Sequence, residues 1–259
     1  MNKGQLQKQT RAHYNDFPFD FLTEEDERNI EHLQPTPFLH FAERHLKPGA
    51  SVAEIGCGSG RATLFMARRG IDVVAVDISP RSLQLTRRRS SGSKFVLASN
   101  LSLPLRDGVF DAVISDGVIH HTPDAYLSFC ENARILGSGG TMYVAVYRLK
   151  RYYYYLYTYL GPPIRWLEKN KFGKALILST LLPIYYAVHL IRSRGTRTWY
   201  GAKNLFYDYI ITPRATFHTR EEIVEWGGHN GLALIEYEEH VGNVHAFVFA
   251  RTAPGASYN

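Results

Sequence analysis

The densest chemistry in the chain lies in Val52-Ala53-Glu54-Ile55-Gly56-Cys57-Gly58-Ser59-Gly60. A short apolar run ends in an acid, and glycines follow at alternate positions. Glycine lets a backbone turn tightly and lets a ligand approach with no Cβ in the way. Asp77 ends the next apolar run, 21 residues after Gly56. An acid at such a strand tip can accept hydrogen bonds from two ribose hydroxyls. Proton chemistry is offered by Asp116, His120 and His121, which follow a fourth apolar run. A histidine near its ordinary pKa can remove a proton at neutral pH. The sequence does not separate His120 from His121, and the alternative is that one of them only caps the following helix. His218, His240 and His245 are expected to be structural or rim residues.

These residues need a scaffold, and the pattern supplies one. Residues 52–55 read as a strand after the turn Lys47-Pro48-Gly49, and 61–69 as a helix. Further strands are expected at 71–76, 94–97, 109–115, 141–147, 233–239 and 244–250. Thr36-Pro37, Ser79-Pro80 and Thr122-Pro123 each look like an N-cap followed by proline at the first helical position. Gly137-Ser138-Gly139-Gly140 ends the third of these helices, and Thr219 with Glu222 forms a capping box for the last. Strands alternating with helices imply an α/β fold: a Rossmann-like, doubly wound, mostly parallel sheet of seven strands. Helices cover both faces, with a helical insertion after the fifth strand. A strand, a glycine turn and a helix form a phosphate- or nucleoside-binding corner in such a sheet. A dinucleotide fingerprint needs a third glycine three residues after the second. Here Gly60 follows Gly58 by two and position 61 is Arg, which argues against a nicotinamide oxidoreductase.

At 259 residues and 45% hydrophobic, the chain can form one α/β domain carrying an insertion. The expected division is a core of 1–147 and 213–259, whose residues 1–35 are a lid or a sheet-edge plug, and an insertion of 148–212. Tyr14 and Phe17 are the substrate-contact candidates in the first part. The first residues lack an apolar signal stretch, and two cysteines, Cys57 and Cys130, form no framework of bridges. Both features fit a reducing, cytoplasmic setting. No Cys/His spacing suggests a metal. The net charge of +6 is unevenly placed: residues 148–203 hold eleven Lys/Arg and one acid, Glu168, which leaves the remainder at −4. Residues 175–191 are almost wholly apolar, flanked by Lys169, Lys171 and Lys174 before and Arg192, Arg194 and Arg197 after. Seventeen residues with a central Pro183 is short for a membrane span. A cap over a substrate pocket is the first reading, a peripheral membrane contact through 165–197 the second, and a nucleic-acid platform the third.

The glycine motif with Asp77 resembles the first motif of class I S-adenosylmethionine-dependent methyltransferases, E/D-x-G-x-G-x-G. Leu103-Pro104, then Asp107-x-x-Phe110-Asp111-x-Val113, then Gly117-Val118-Ile119-His120-His121-Thr122-Pro123-Asp124, is similar to the type 11-like group that acts on small metabolites. The similarity covers about 40–147 and 210–250. It implies that S-adenosyl-L-methionine lies over Gly56, Gly58 and Gly60, with Glu54 near the loop or the cofactor's ammonium. Asp77 would hold the ribose and Ile78 would lie against adenine. The group usually has an acid before Leu-Pro that holds the adenine amino group; this chain offers Ser99 and Asn100. The resemblance implies methyl transfer to O, N or C of a small apolar or aromatic metabolite. The alternatives are a non-catalytic cofactor-binding regulator and a membrane-surface methyltransferase acting on a lipid-like acceptor. Strand four lacks the following Asn/Asp-Pro-Pro-aromatic motif of amino-methylating nucleic-acid enzymes, which argues against a nucleic-acid substrate.

Overall fold

The computed structural model describes residues 2–18, 20–195, 198–239 and 243–251, so Arg197 and His240 lie outside the described residues. Seven strands form one sheet: β1 (Ser51–Ile55), β2 (Asp72–Asp77), β3 (Lys94–Leu97), β4 (Phe110–Asp116), β5 (Leu136–Tyr147), β6 (Leu232–Glu239) and β7 (Val244–Arg251). Their order is β3-β2-β1-β4-β5-β7-β6. The first five are parallel, and β7 runs antiparallel between β5 and β6. Strand order reverses between β1 and β4, the switch point where open α/β sheets place ligands beyond their carboxyl ends.

Side chains alternate across this sheet with the period of two that strand geometry imposes. Ala53, Val113, Val144, Phe247 and Phe249 face one way, packed with Phe129, Ala133 and Ile223 of the helices Ala125–Ile135 and Arg220–His229. Val52, Ile114, Tyr143, Ala145 and Val248 face the other way, against Phe38 and Phe41 of helix Thr36–His45 and Phe65 and Met66 of helix Arg61–Arg68. Both faces are therefore covered, as a sheet of near-continuous apolar strands requires.

Local signals differ in how the structure uses them. Ser79 caps helix Pro80–Arg89 as expected, its side chain accepting from Ser82 N. Thr36 is itself helical, and the cap position is Pro35, which makes no side-chain bond. Thr122 ends a short 3-10 turn, its hydroxyl bonded to the Ile119 carbonyl; Asp124 caps the helix, which begins at Ala125. Thr219 accepts from Glu222 N, while the Glu222 carboxylate lies 3.1 Å from His218 Nδ1. The glycines expected to precede β5 lie inside it. A Cβ on Gly140 would meet the Asp111 carbonyl at 2.9 Å, and the β4–β5 register shifts at this point. They are strand glycines forced by a close backbone approach at a bulge, not a helix stop.

Two segments stand outside the sheet. The polar start of the chain forms a helix, Lys3–Asp16, closed by a capping box between Asn2 and Gln5. No apolar periodicity announces it, because its burial depends on packing beside helix Pro80–Arg89. The chain then leaves β5 at Tyr147 and returns to the sheet only at β6. Before helix Arg220–His229, which packs on the sheet, come the helices Tyr152–Tyr155, Gly161–Glu168, Lys171–Arg192 and Trp199–Phe206, with π turns at Leu156–Leu160, Ile177–Leu181 and Tyr207–Ile211. This segment has its own core of Ile177, Leu182, Phe206, Tyr207, Ile210 and Ile211, joined by Phe17. Of its tyrosine run, Tyr153 and Tyr157 point inward, their hydroxyls donating to the carbonyls of Tyr209 and Thr212. Tyr152, Tyr155 and Tyr159 are exposed.

Candidate active site

A cavity of about 400 Å³ opens beyond the carboxyl ends of β1, β2 and β4. Its floor is the glycine loop. Backbone N–H groups of Gly56 and Cys57 both donate to the Val76 carbonyl, which ties the loop to β2. Gly56 has φ +83°, and a Cβ there would meet the Val118 side chain at 2.4 Å, so only glycine lets β1 and the loop after β4 lie this close. Gly58 has φ +55°, and open space lies where its Cβ would be. Gly60 does not line the cavity. A Cβ on it would meet the Thr86 backbone at 2.9 Å, and it opens helix Arg61–Arg68.

The acids around the loop are held by specific donors. Asp77 accepts from Gly58 N at 2.9 Å and Ser79 N at 2.8 Å. Burial nevertheless pushes its carboxyl up to about 6, against these backbone hydrogen bonds. Glu54 is buried and accepts from the Thr63 hydroxyl. Burial pushes it up to about 8. Asp116 lines the cavity, but its carboxylate is paired with Arg61 at 2.6 Å, and Arg61 also reaches Gln34 at 3.0 Å. That contact makes Asp116 an anchor for the loop helix rather than a free base. Ile78, Ser99 and Asn100 also line the cavity. Among the described residues, both amide atoms of Asn100 are buried without a partner.

The two histidines separate. His120 is fully buried off the cavity wall, its ring 3.7 Å from that of Tyr147, and its Nδ1 accepts from Tyr147 N at 3.2 Å. Burial and the neighbouring histidines His121, His218 and His245 hold its pKa well below the ordinary range. It is a core histidine. His121 lines the cavity, and its Nδ1 lies 2.7 Å from the Arg214 carbonyl. A carbonyl only accepts, so Nδ1 carries the proton and Nε2 is left with its lone pair. Burial lowers the pKa of His121, with Asp208 and the Arg214 carbonyl acting in the opposite direction.

Two distant segments complete the wall. Tyr14 of the first helix donates to Asp208 at 3.1 Å, and its ring lies edge-on to His121 at 5.9 Å. Asp208 and Tyr209 come from the segment after β5. Asp208, Tyr209, Tyr147 and Arg61 escaped the sequence reading. Only Arg61 carried a local signal, as the charged residue directly after the third glycine. Phe17 is one helical turn from Tyr14, yet it stacks on Tyr207 at 3.8 Å and does not line the cavity. His218 and His245 are buried beside the end of β5, off the cavity.

The strand order, the glycine loop at the switch point and the acid at the tip of β2 define the class I S-adenosylmethionine-dependent methyltransferase fold. The 1,6-didemethyltoxoflavin-N1-methyltransferase of Burkholderia thailandensis, solved with S-adenosylhomocysteine, superposes with a TM-score of 0.59 at 15% identity over 97% of this chain and 91% of that one. Residues 53–144 match the family model of the methyltransferase domain. Mouse probable tRNA methyltransferase 9B is 35% identical over 108 residues, 40% of this chain and 23% of that protein. The ubiquinone biosynthesis O-methyltransferase of Xanthomonas campestris is 29% identical over 124 residues, 46% of this chain and 52% of that protein. The chain thus spans about a quarter to a half of the length of these curated relatives.

Proposed function

We propose that the chain transfers a methyl group from S-adenosyl-L-methionine to a hydroxyl of a small, apolar or aromatic acceptor, with His121 as the general base. The open space over Gly58 and the unpartnered amide of Asn100 fit this cofactor, one admitting a ligand against the loop and the other offering both a donor and an acceptor. Gly56, Gly58 and Asp77 would hold its amino-acid and ribose parts, and Ile78, Ser99 and Asn100 its base. The cofactor supplies a methyl already activated on a sulfonium. The chain's own work is to align the acceptor, exclude water and take a proton. The segment 148–212 acts as a cap and the N-terminal helix as a lid, since Tyr14 of that helix and Asp208 and Tyr209 of that segment line the cavity and Tyr14 donates to Asp208. The rings of Tyr14, Tyr209 and Tyr147 favour an aromatic or apolar body.

The observation that carries the proposal is the fixed tautomer of His121. An Nδ1–H held at 2.7 Å on a carbonyl leaves Nε2 as the ring's acceptor on a cavity residue. A hydroxyl needs such a base. The test is S-adenosylhomocysteine release over a panel of phenols, amines and carbon acids, followed by His121→Asn. Turnover with a phenol should fall by about 10²–10⁴, with S-adenosylhomocysteine affinity unchanged. The acid limb of the wild-type rate should lie below the ordinary histidine value of 6.5, because burial lowers this pKa. Turnover on amines alone, indifferent to His121→Asn, would overturn the reading.

A further inference from the structure

The longest helix among the described residues, Lys171–Arg192, has 22 residues, about 33 Å at 1.5 Å per residue. Its inward face reads Gly173, Ile177, Leu182, Tyr185, His189. The five-residue step from Ile177 to Leu182 falls on the π turn Ile177–Leu181. A step of five would rotate an α-helical face by about 140° beyond a full turn at 3.6 residues per turn; the wider π turn absorbs part of that excess. One side therefore stays on the protein along the whole length. Gly173 permits the contact, since a Cβ there would meet the Leu167 carbonyl at 2.1 Å. The opposite side carries Phe172, Leu176, Leu181, Ile184, Val188 and Ile191, with Phe172 81%, Ile184 63% and Ile191 78% exposed. Trp166, on the preceding helix, is also exposed.

An apolar stripe of this length on a water-facing surface signals a partner, and three observations say which. Cations sit at both ends of the stripe, Lys169 and Lys171 before it, Lys174 in its first turn and paired with Glu168 at 3.4 Å, and Arg192 and Arg194 after it, all five exposed. Only one acid, Glu168, falls between residues 148 and 203, against eleven Lys/Arg. The exposed hydroxyls on the helix, Ser179 and Thr180, are both bonded to the Leu176 carbonyl. They can leave water without an unmade hydrogen bond. Apolar residues in the middle, cations at the ends and internally satisfied hydroxyls suit a helix lying in the headgroup region of an anionic bilayer. A nucleic acid would set its phosphates against the apolar stripe. A spanning helix would have to leave Phe206, Tyr207 and Ile210, with which Ile177 and Leu182 form a core.

We propose that Lys171–Arg192, with Trp166, is an interfacial membrane-docking surface for anionic lipid. The proposal does not depend on what the cavity methylates. It is tested with the full chain by sedimentation with phosphatidylcholine vesicles, with and without phosphatidylglycerol. Binding should require phosphatidylglycerol at low salt and fall at about 1 M salt, where the Debye length is about 3 Å. Ile184→Asp with Ile191→Asp should lower partitioning at least tenfold, as should Lys169→Gln, Lys171→Gln, Arg192→Gln and Arg194→Gln together. Unchanged S-adenosylhomocysteine affinity shows that each variant is folded. If the aspartates disturb folding, Ile184→Ser with Ile191→Ser replaces them with the same expected direction. The proposal is overturned by wild type that stays in the supernatant at low salt, or by variants that sediment like wild type. It is equally overturned by a dimer that the apolar variants dissolve without any vesicle binding, by tRNA retention in place of vesicle binding, or by binding that resists both salt and alkaline carbonate.

Discussion

Gly58 and Gly60 share a left-handed backbone, at φ +55° and +89°, but for different neighbours. A Cβ on Gly58 would project into the cavity, whereas one on Gly60 would strike the Thr86 backbone. Gly58→Ala should therefore cost about 1–2 kcal/mol for the conformation alone and markedly weaken S-adenosylhomocysteine binding. Gly60→Ala should add an overpacking cost of about 1–3 kcal/mol. Thermal melts and calorimetry on the two variants separate the effects. Normal binding by Gly58→Ala would remove the loop from the cofactor site. Glu54 makes a different prediction. Its native pKa of about 8 stands above the ordinary 4.5, so between those values the native state holds a proton that the unfolded chain has released. Stability must then fall as pH rises through this window, by at most about 1.4 kcal/mol per pH unit. Glu54→Gln cannot titrate, so its urea midpoint should vary less with pH between about 5 and about 8. Parallel curves for the two proteins would contradict a raised Glu54.

At the scale of elements, the N-terminal helix is held by contacts with segments far along the chain. Phe17 stacks on Tyr207, Tyr14 bonds to Asp208, and the Asn204 amide donates to the Asp20 carbonyl. Arg89, largely buried, bonds Asp20, Glu27 and the Ser59 carbonyl together. Phe17→Ala removes the stack, which adds about 0.5–1.5 kcal/mol beyond its buried area. The first helix should become more accessible to limited proteolysis and S-adenosylhomocysteine affinity should drop, while the far-UV signal of the core persists. Unchanged proteolysis would show that the other contacts suffice. These contacts also explain what could be read in the sequence. The strands, the glycine loop and the Ser79 cap are written in local periods and turn residues. The helix Lys3–Asp16 has no such period, and Asp208 is one acid in a basic, aromatic stretch. Its position depends on the packing of Phe206, Tyr207 and Ile210, and no spacing rule encodes that. His120 and His121 are adjacent in sequence and opposite in role because the 3-10 turn Ile119–His121 sends one ring behind β5 and the other to the cavity. The expected cap at Thr122 failed for the same reason, since that turn had already claimed its hydroxyl.

Across the whole molecule, charge and apolar exposure coincide. The excess of positive charge and the exposed stripe belong to the same segment, while the sheet and its helices are net acidic. An anionic surface would therefore attract one side of the protein and repel the other, which orients it before contact. The cavity is divided in a related way. Its glycine loop and the acid of β2 come from the stretch 53–144 that matches the methyltransferase domain, while Tyr14, Asp208 and Tyr209, which also line it, lie outside that stretch. The two halves can consequently diverge at different rates. Substitutions in the first helix or the helical segment alter the shape offered to an acceptor without disturbing a glycine or an acid of the loop. Kinship through the shared half is thus compatible with a different diet in the other.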